Sequence, residues 1–115
     1  MISFDDFKKV EIRAGKIISA EKIPETDKLL KLMVDFAEKD ELGNARLRQI
    51  VSGIAIKFPD TVALVGKTCM FVTNLEPRMI KGFESNGMLF AVSTPEGGFS
   101  LLEPNNSIPP GTLAV

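Results

Sequence analysis

The 115-residue chain contains no histidine, no tryptophan, no tyrosine and a single cysteine. Without histidine, a serine–histidine or cysteine–histidine nucleophile pair and the common zinc sites are excluded. Cys69 sits in the apolar run CMFV with no second cysteine to bridge to, which fits a reducing compartment and a small buried hydrophobe. No run of about 18 apolar residues is present to span a bilayer, so no membrane partner is expected. The opening MISFDDFKK is acidic where a secretory signal would be basic, which predicts a cytoplasmic protein. Gly66-Lys67-Thr68 resembles the end of a phosphate-binding loop, but Thr61 stands where that loop needs glycine. The carboxylates show no metal-loop spacing. No catalytic residue, metal ligand or cofactor is therefore expected, and the chain does not read as an enzyme.

What is present describes one domain, residues 1–115, with 44% hydrophobic and 25% charged residues. The net charge of -1 is not that of a strongly basic nucleic-acid binder. The distribution is more informative: all 14 Lys and Arg residues lie at or before Lys81, and beyond Asn86 the only charges are Glu96 and Glu103. Asp35, Glu38, Asp40 and Glu41 crowd one segment ending in Gly43-Asn44, a predicted hairpin tip. Setting that tip aside leaves a locally basic remainder.

Periodicity predicts strands. Leu30, Leu32, Val34 and Phe36 alternate with Lys31, Met33 and Asp35, so that face should be core. In KVEIRAGKII the apolar phase shifts after Gly15, which predicts a bulge or bend there. RLRQIV, GKTCMFVTNL, GMLFAVS and GFSLLEP continue as short β-like runs. Ser3 can cap a first helical turn, with Asp5 and Asp6 near its positive end, and SGIAIKF before Pro59 can form another. The expectation is an all-β, five-stranded barrel of the oligonucleotide-binding (OB) type with short helices and a C-terminal β extension.

The segments FKKVEIRAGKI, PETDKLLKLMVD, RQIVSGIA, VGK and NLEPRMIKGFESNGMLFA, in that order, carry a resemblance over nearly the whole chain. The sequence resembles the free-standing tRNA-binding proteins and the C-terminal tRNA-binding domain of methionyl-tRNA synthetase. It is also similar to a module of a multisynthetase-complex cytokine precursor. The resemblance implies a non-catalytic OB barrel that reads the folded shape of tRNA through backbone contacts, commonly as a homodimer, alone or with an aminoacyl-tRNA synthetase as partner. Starting at Met1 and ending without a linker leans toward the free-standing form. Ile23 replaces the histidine that often precedes the family's Pro-x-x-Asp-Lys-Leu stretch, and Thr26 replaces its usual alanine. A polypeptide-binding, chaperone-like module of the same fold is the alternative.

Candidate contacts gather in Asn74 to Met88, which is too long for a simple turn and reads as a donor-rich loop. Arg78 and Lys81 would supply charge, Asn74, Ser85 and Asn86 hydrogen bonds, and Met88 a polarizable apolar surface for a base or sugar. Ser85 and Met88 match a Ser-x-x-Met pattern that the resemblance places in the tRNA-contacting region. Equally, Asn74, Ser85 and the glycines can serve only the loop's own backbone, with Met88 in the core. Arg46 and Arg48 point the same way in a regular strand, with Gln49 opposite and able to join Ser52 in a polar cluster. Arg13, Lys31 and Lys28 extend the same track. Any one of these cations is as well explained as a solvated surface charge. The eight phenylalanines mostly occupy core phases, so backbone and shape recognition is favoured over base stacking.

Overall fold

Alternation along KLLKLMVDF has the expected outcome: Leu30, Leu32, Val34 and Phe36 are each at most 3% exposed. The structure, a computed structural model, describes residues 1–115. Its strands are β1 (Ile12–Lys22), β2 (Leu30–Lys39), β3 (Ala45–Ser52), β4 (Thr68–Val72), β5 (Arg78–Ile80), β6 (Phe83–Ser85), β7 (Met88–Leu89), β8 (Ala91–Ser93) and β9 (Phe99–Leu101). Five of them form one antiparallel sheet in the order β3-β2-β1-β4-β7, while β5–β6 and β8–β9 are separate hairpins.

The sheet curls around Ile17, Leu30, Leu32, Ile50, Cys69 and Phe71, with the Phe36 and Phe71 rings edge to face at 5.3 Å. Each fully buried side chain of this kind contributes about 1.5–3 kcal/mol. The sheet's two edges are clasped at one seam, where the Asn86 amide donates to the Gln49 carbonyl at 2.8 Å and the Val51 amide donates to Ser85 Oγ at 3.0 Å. Gly87 permits that approach, because a Cβ there would lie 3.0 Å from Ile50 Cδ1 of β3 and 3.2 Å from the Val72 carbonyl oxygen, at a φ of +140°. The result is an OB-like half-barrel, as expected.

Short elements close its ends. Ser3 Oγ accepts from the Asp6 amide and caps α1 (Phe4–Phe7). Two 3₁₀ turns, Ala55–Lys57 and Thr61–Leu64, follow β3, and the second buries Leu64 completely. At the C-terminus, Gly111 to Ala114 run beside the first half of β1, with Gly111 and Thr112 bonding Ala14 and the Ala114 amide bonding Ile12. That edge is open because β2 pairs with β1 only from Lys16 onward. No helix is long and apolar enough to cross a membrane.

Gly15 differs from expectation. The register shift in β1 falls between Ile17 and Ser19, and Gly15 itself stays paired with Cys69. Its glycine is needed because a Cβ would lie 2.5 Å from Phe36 Cε1 and 2.7 Å from Val34 Cγ1. Gly15→Ala should therefore overpack the core and cost about 2–3 kcal/mol, lowering Tm by roughly 10 °C. A thermal melt within about 2 °C of wild type would show that Phe36 repacks freely.

Candidate nucleic-acid interface

The donor-rich segment after β4 is not a loop but carries its own hairpin. β5 and β6 are joined by Lys81-Gly82, both left-handed at φ 51° and 83°, the pattern of a two-residue type I′ turn. Asn-Gly is the usual pair there, and lysine in the left-handed region is strained. Such strain is characteristic of functional positions. The hairpin packs on the outer face of β2 and β3: Lys31 Nζ lies 5.6 Å from the Phe83 ring centre, and Gln49 Nε2 donates to the Glu84 carbonyl. Ser85 is buried, accepting from Val51 and donating to the Gly87 carbonyl, so it positions the strand that carries Met88. Met88 stays 43% exposed, outside the core.

The expected contacts divide into free and committed groups. Lys28, Arg46, Arg78 and Lys81 are exposed and have no ion-pair partner. Lys28 and Lys81 line a cleft of about 470 Å³ between the β1–β2 connection and the hairpin turn, with Glu25 and Asp27 on the same wall as Lys28 but not ion-paired to either lysine. Arg46 lines a second cleft with Arg48, Gln49, Glu84 and Asn86. Arg78 and Met88 line a third, beside the seam. Lys31 is half-buried and 3.6 Å from Glu21. Gln49 pairs in register with Met33 and Ser52 with Leu30, positions of opposite strand phase, so the two do not form one polar cluster.

Asn74 is committed elsewhere. Its Oδ1 accepts from the Glu11 amide at 2.8 Å and its Nδ2 donates to the Lys9 carbonyl at 2.6 Å, tying the N-terminal segment to the end of β4. Arg13 and Arg48 belong to a network at one end of the barrel. Arg48 makes a bidentate pair with Glu38, both bonds at 2.8 Å, donates to the Thr73 carbonyl at 2.6 Å and lies over the Phe36 ring. Arg13 bonds Glu11 and the Gly111 carbonyl, and Thr73 Oγ1 donates to Glu11. The Arg48 hydrogen bonds hold the Glu38 carboxyl below its ordinary 4.5, those from Arg13 and then Thr73 lower Glu11, and Glu38 in turn raises Arg48. With two arginines against two glutamates, the network presents little net charge. Arg46 and Arg48 share a strand phase and line one cleft, but only Arg48 pairs with Glu38, although Arg46 stands opposite Glu38 where the β2–β3 register slips and Ala37 adopts φ 61°. Cys69 is fully buried, and desolvation pushes its thiol up to about 11, away from reactive thiolate character.

The profile of the family described as "Putative tRNA binding domain" matches residues 12–113. The chain belongs to this tRNA-binding domain family. It is 49% identical over 113 residues to a methionine--tRNA ligase of Methanoregula boonei, covering 97% of this chain and 15% of that protein. The chain thus spans a small part of the curated relatives it matches. Among solved structures, a MetRS-related protein from Pyrococcus horikoshii superposes with a TM-score of 0.87 at 36% identity, covering 100% of this chain and 98% of that one. Chaperone CsaA from Bacillus anthracis superposes at 0.81 with 29% identity, covering 100% and 99%.

In this tRNA-binding domain, residue-by-residue reading of the sequence missed the apolar lining beside Arg78. Val51, Leu75 and Ile80 line that cleft together with Glu76. Val51 reads as ordinary strand core, and the negative sign of Glu76 argues against an RNA contact. Only the folding of the hairpin over β3 brings them together.

Proposed function

We propose that the chain is a non-catalytic module that grips folded tRNA by its backbone, acting in the cytoplasm alone or as the tRNA-binding part of methionyl-tRNA synthetase. The observation that carries this reading is the sorting of charge. Lys28, Arg46, Arg78 and Lys81 form no ion pair around the β5–β6 hairpin and the seam, whereas the arginines at the barrel end are each bonded to a glutamate. Unpaired, exposed cations on strands and their connections suit phosphate contacts, which fix orientation and carry little sequence information. Four such contacts give a logarithmic slope of affinity against salt of about -3.6 by counterion release. Titration of the chain with folded total tRNA at two salt concentrations, with unstructured RNA of equal length as competitor, tests this. Saturable binding with that slope, resistant to the competitor, is expected. Salt-independent or absent binding by a folded chain would sink the reading and favour the chaperone-like polypeptide-binding alternative, the CsaA neighbour being named a chaperone.

A homodimer fits a second surface. Phe4, Phe7, Val10 and Leu113 are all at least 43% exposed and line one cavity of about 310 Å³ between α1 and the C-terminal strap. A contiguous exposed apolar surface of this kind marks an association site. Phe4→Ser with Phe7→Ser should convert a sedimenting dimer to monomer. A wild-type chain that sediments as a monomer at high concentration would refute the assignment.

A further inference from the structure

The cleft beside the seam differs in character from the lysine-lined one across the hairpin. Its volume is about 460 Å³, within the range of about 300–1,000 Å³ for small-ligand sites. Buried Val51, half-buried Ile80 and partly exposed Leu75 and Met88 give it apolar surface. Glu76 and Arg78 also line it, both are exposed, and neither has an ion-pair partner. The Glu76 carboxylate gives this apolar-walled cleft acceptors, and the five donors of the Arg78 guanidinium can serve a base edge and a phosphate at once. The cleft suits a flat, neutral group with an apolar face and a polar edge.

We propose that this cleft holds one unpaired guanine base of the bound RNA, with Glu76 and Arg78 reading its edge; this rests on the tRNA-binding reading. An ionised carboxylate only accepts hydrogen bonds, and a guanidinium only donates them. Guanine presents two adjacent donors, N1–H and the N2 amino group, which match both oxygens of one carboxylate, and its O6 and N7 accept from arginine. Adenine and cytosine place an acceptor ring nitrogen beside their amino group, and uracil has one ring donor between two carbonyls. Each of those turns an acceptor toward Glu76. Pro77, between the two readers, biases Glu76 to extended backbone, in which side chains two residues apart share a side. Ser85 and Gly87 hold the seam that carries Met88, whose thioether packs on the base face.

The test is an NMR titration of the ¹⁵N-labelled chain with GMP, AMP, CMP and UMP, alongside folded tRNA. GMP should shift the amides of Val51, Gly87 and Met88 saturably, with at least about tenfold preference over the other three. Glu76→Gln, at an exposed position, should level the four. Equal responses to all four nucleotides, shifts confined to Lys28 and Lys81, or uniform tightening in Glu76→Gln would each overturn the base subsite. Tight tRNA binding without GMP preference would remove only the subsite. GMP preference without tRNA binding would remove only the tRNA reading.

Discussion

Arg78→Glu combined with Lys81→Glu is expected to weaken binding of folded tRNA about 100-fold at moderate salt, with Tm within about 2 °C of wild type. Each substitution removes an attraction and adds a repulsion, each about 1 kcal/mol per phosphate in high dielectric. Salt screening reduces the total of about 4 to roughly 3 kcal/mol, which is the 100-fold loss. The salt slope should flatten by about 2, one for each contact removed. Neither side chain has an ion-pair partner, so the fold has little to lose. Lys81→Asn is the sharper control because stability and binding should move in opposite directions. Asparagine tolerates the left-handed turn that strains Lys81 at φ 51°, so the fold should gain up to about 1 kcal/mol. Binding should still fall several-fold for want of the charge. Unchanged affinity in the double variant would move the site away from this hairpin.

The parts of the fold legible in sequence were those with a local signature. The alternation in β2, the Ser3 cap and the turn at Gly43-Asn44 each needed only neighbours to specify them. Gly15 shows where local reading stops. A bulge and a close approach leave the same mark, a glycine beside a phase change, and only the position of Phe36 across the barrel separates them. The β5–β6 hairpin was hidden because its turn carries lysine where the usual asparagine would have announced it.

The candidate site was legible as a set and not as individuals. Arg46 and Arg48 are indistinguishable along the chain, and what tells them apart is the bidentate pair that Arg48 alone makes with Glu38 across the strands. Asn74 looks like a free donor until its two bonds close with Lys9 and Glu11, more than sixty residues earlier. Long-range pairing decides which polar groups remain available to a ligand, and single-strand periodicity carries no information about it.

Arg48→Ala tests the consequence of that sorting: the loss should be in stability rather than in tRNA contact. The side chains of Arg48 and Glu38 are 15% and 30% exposed. Truncating one partner of a fully buried pair costs about 3–5 kcal/mol, and partial solvation here reduces this to about 2–3. The variant leaves Glu38 unpaired, removes a donor from the Thr73 carbonyl and uncovers Phe36. Arg48→Lys keeps the charge without the planar fork and should recover only part of the loss. The pH dependence identifies the cause. Glu38 and Glu11 are lowered in the folded chain, so their contribution is fully present above the ordinary 4.5 and is lost as pH falls through their folded values. The stability gap between wild type and Arg48→Ala should therefore be widest near neutrality and narrow below about pH 4.5. A gap constant down to pH 3 would assign the loss to packing on Phe36 alone. A tRNA affinity that drops in a fully folded Arg48→Ala chain would return Arg48 to the binding surface.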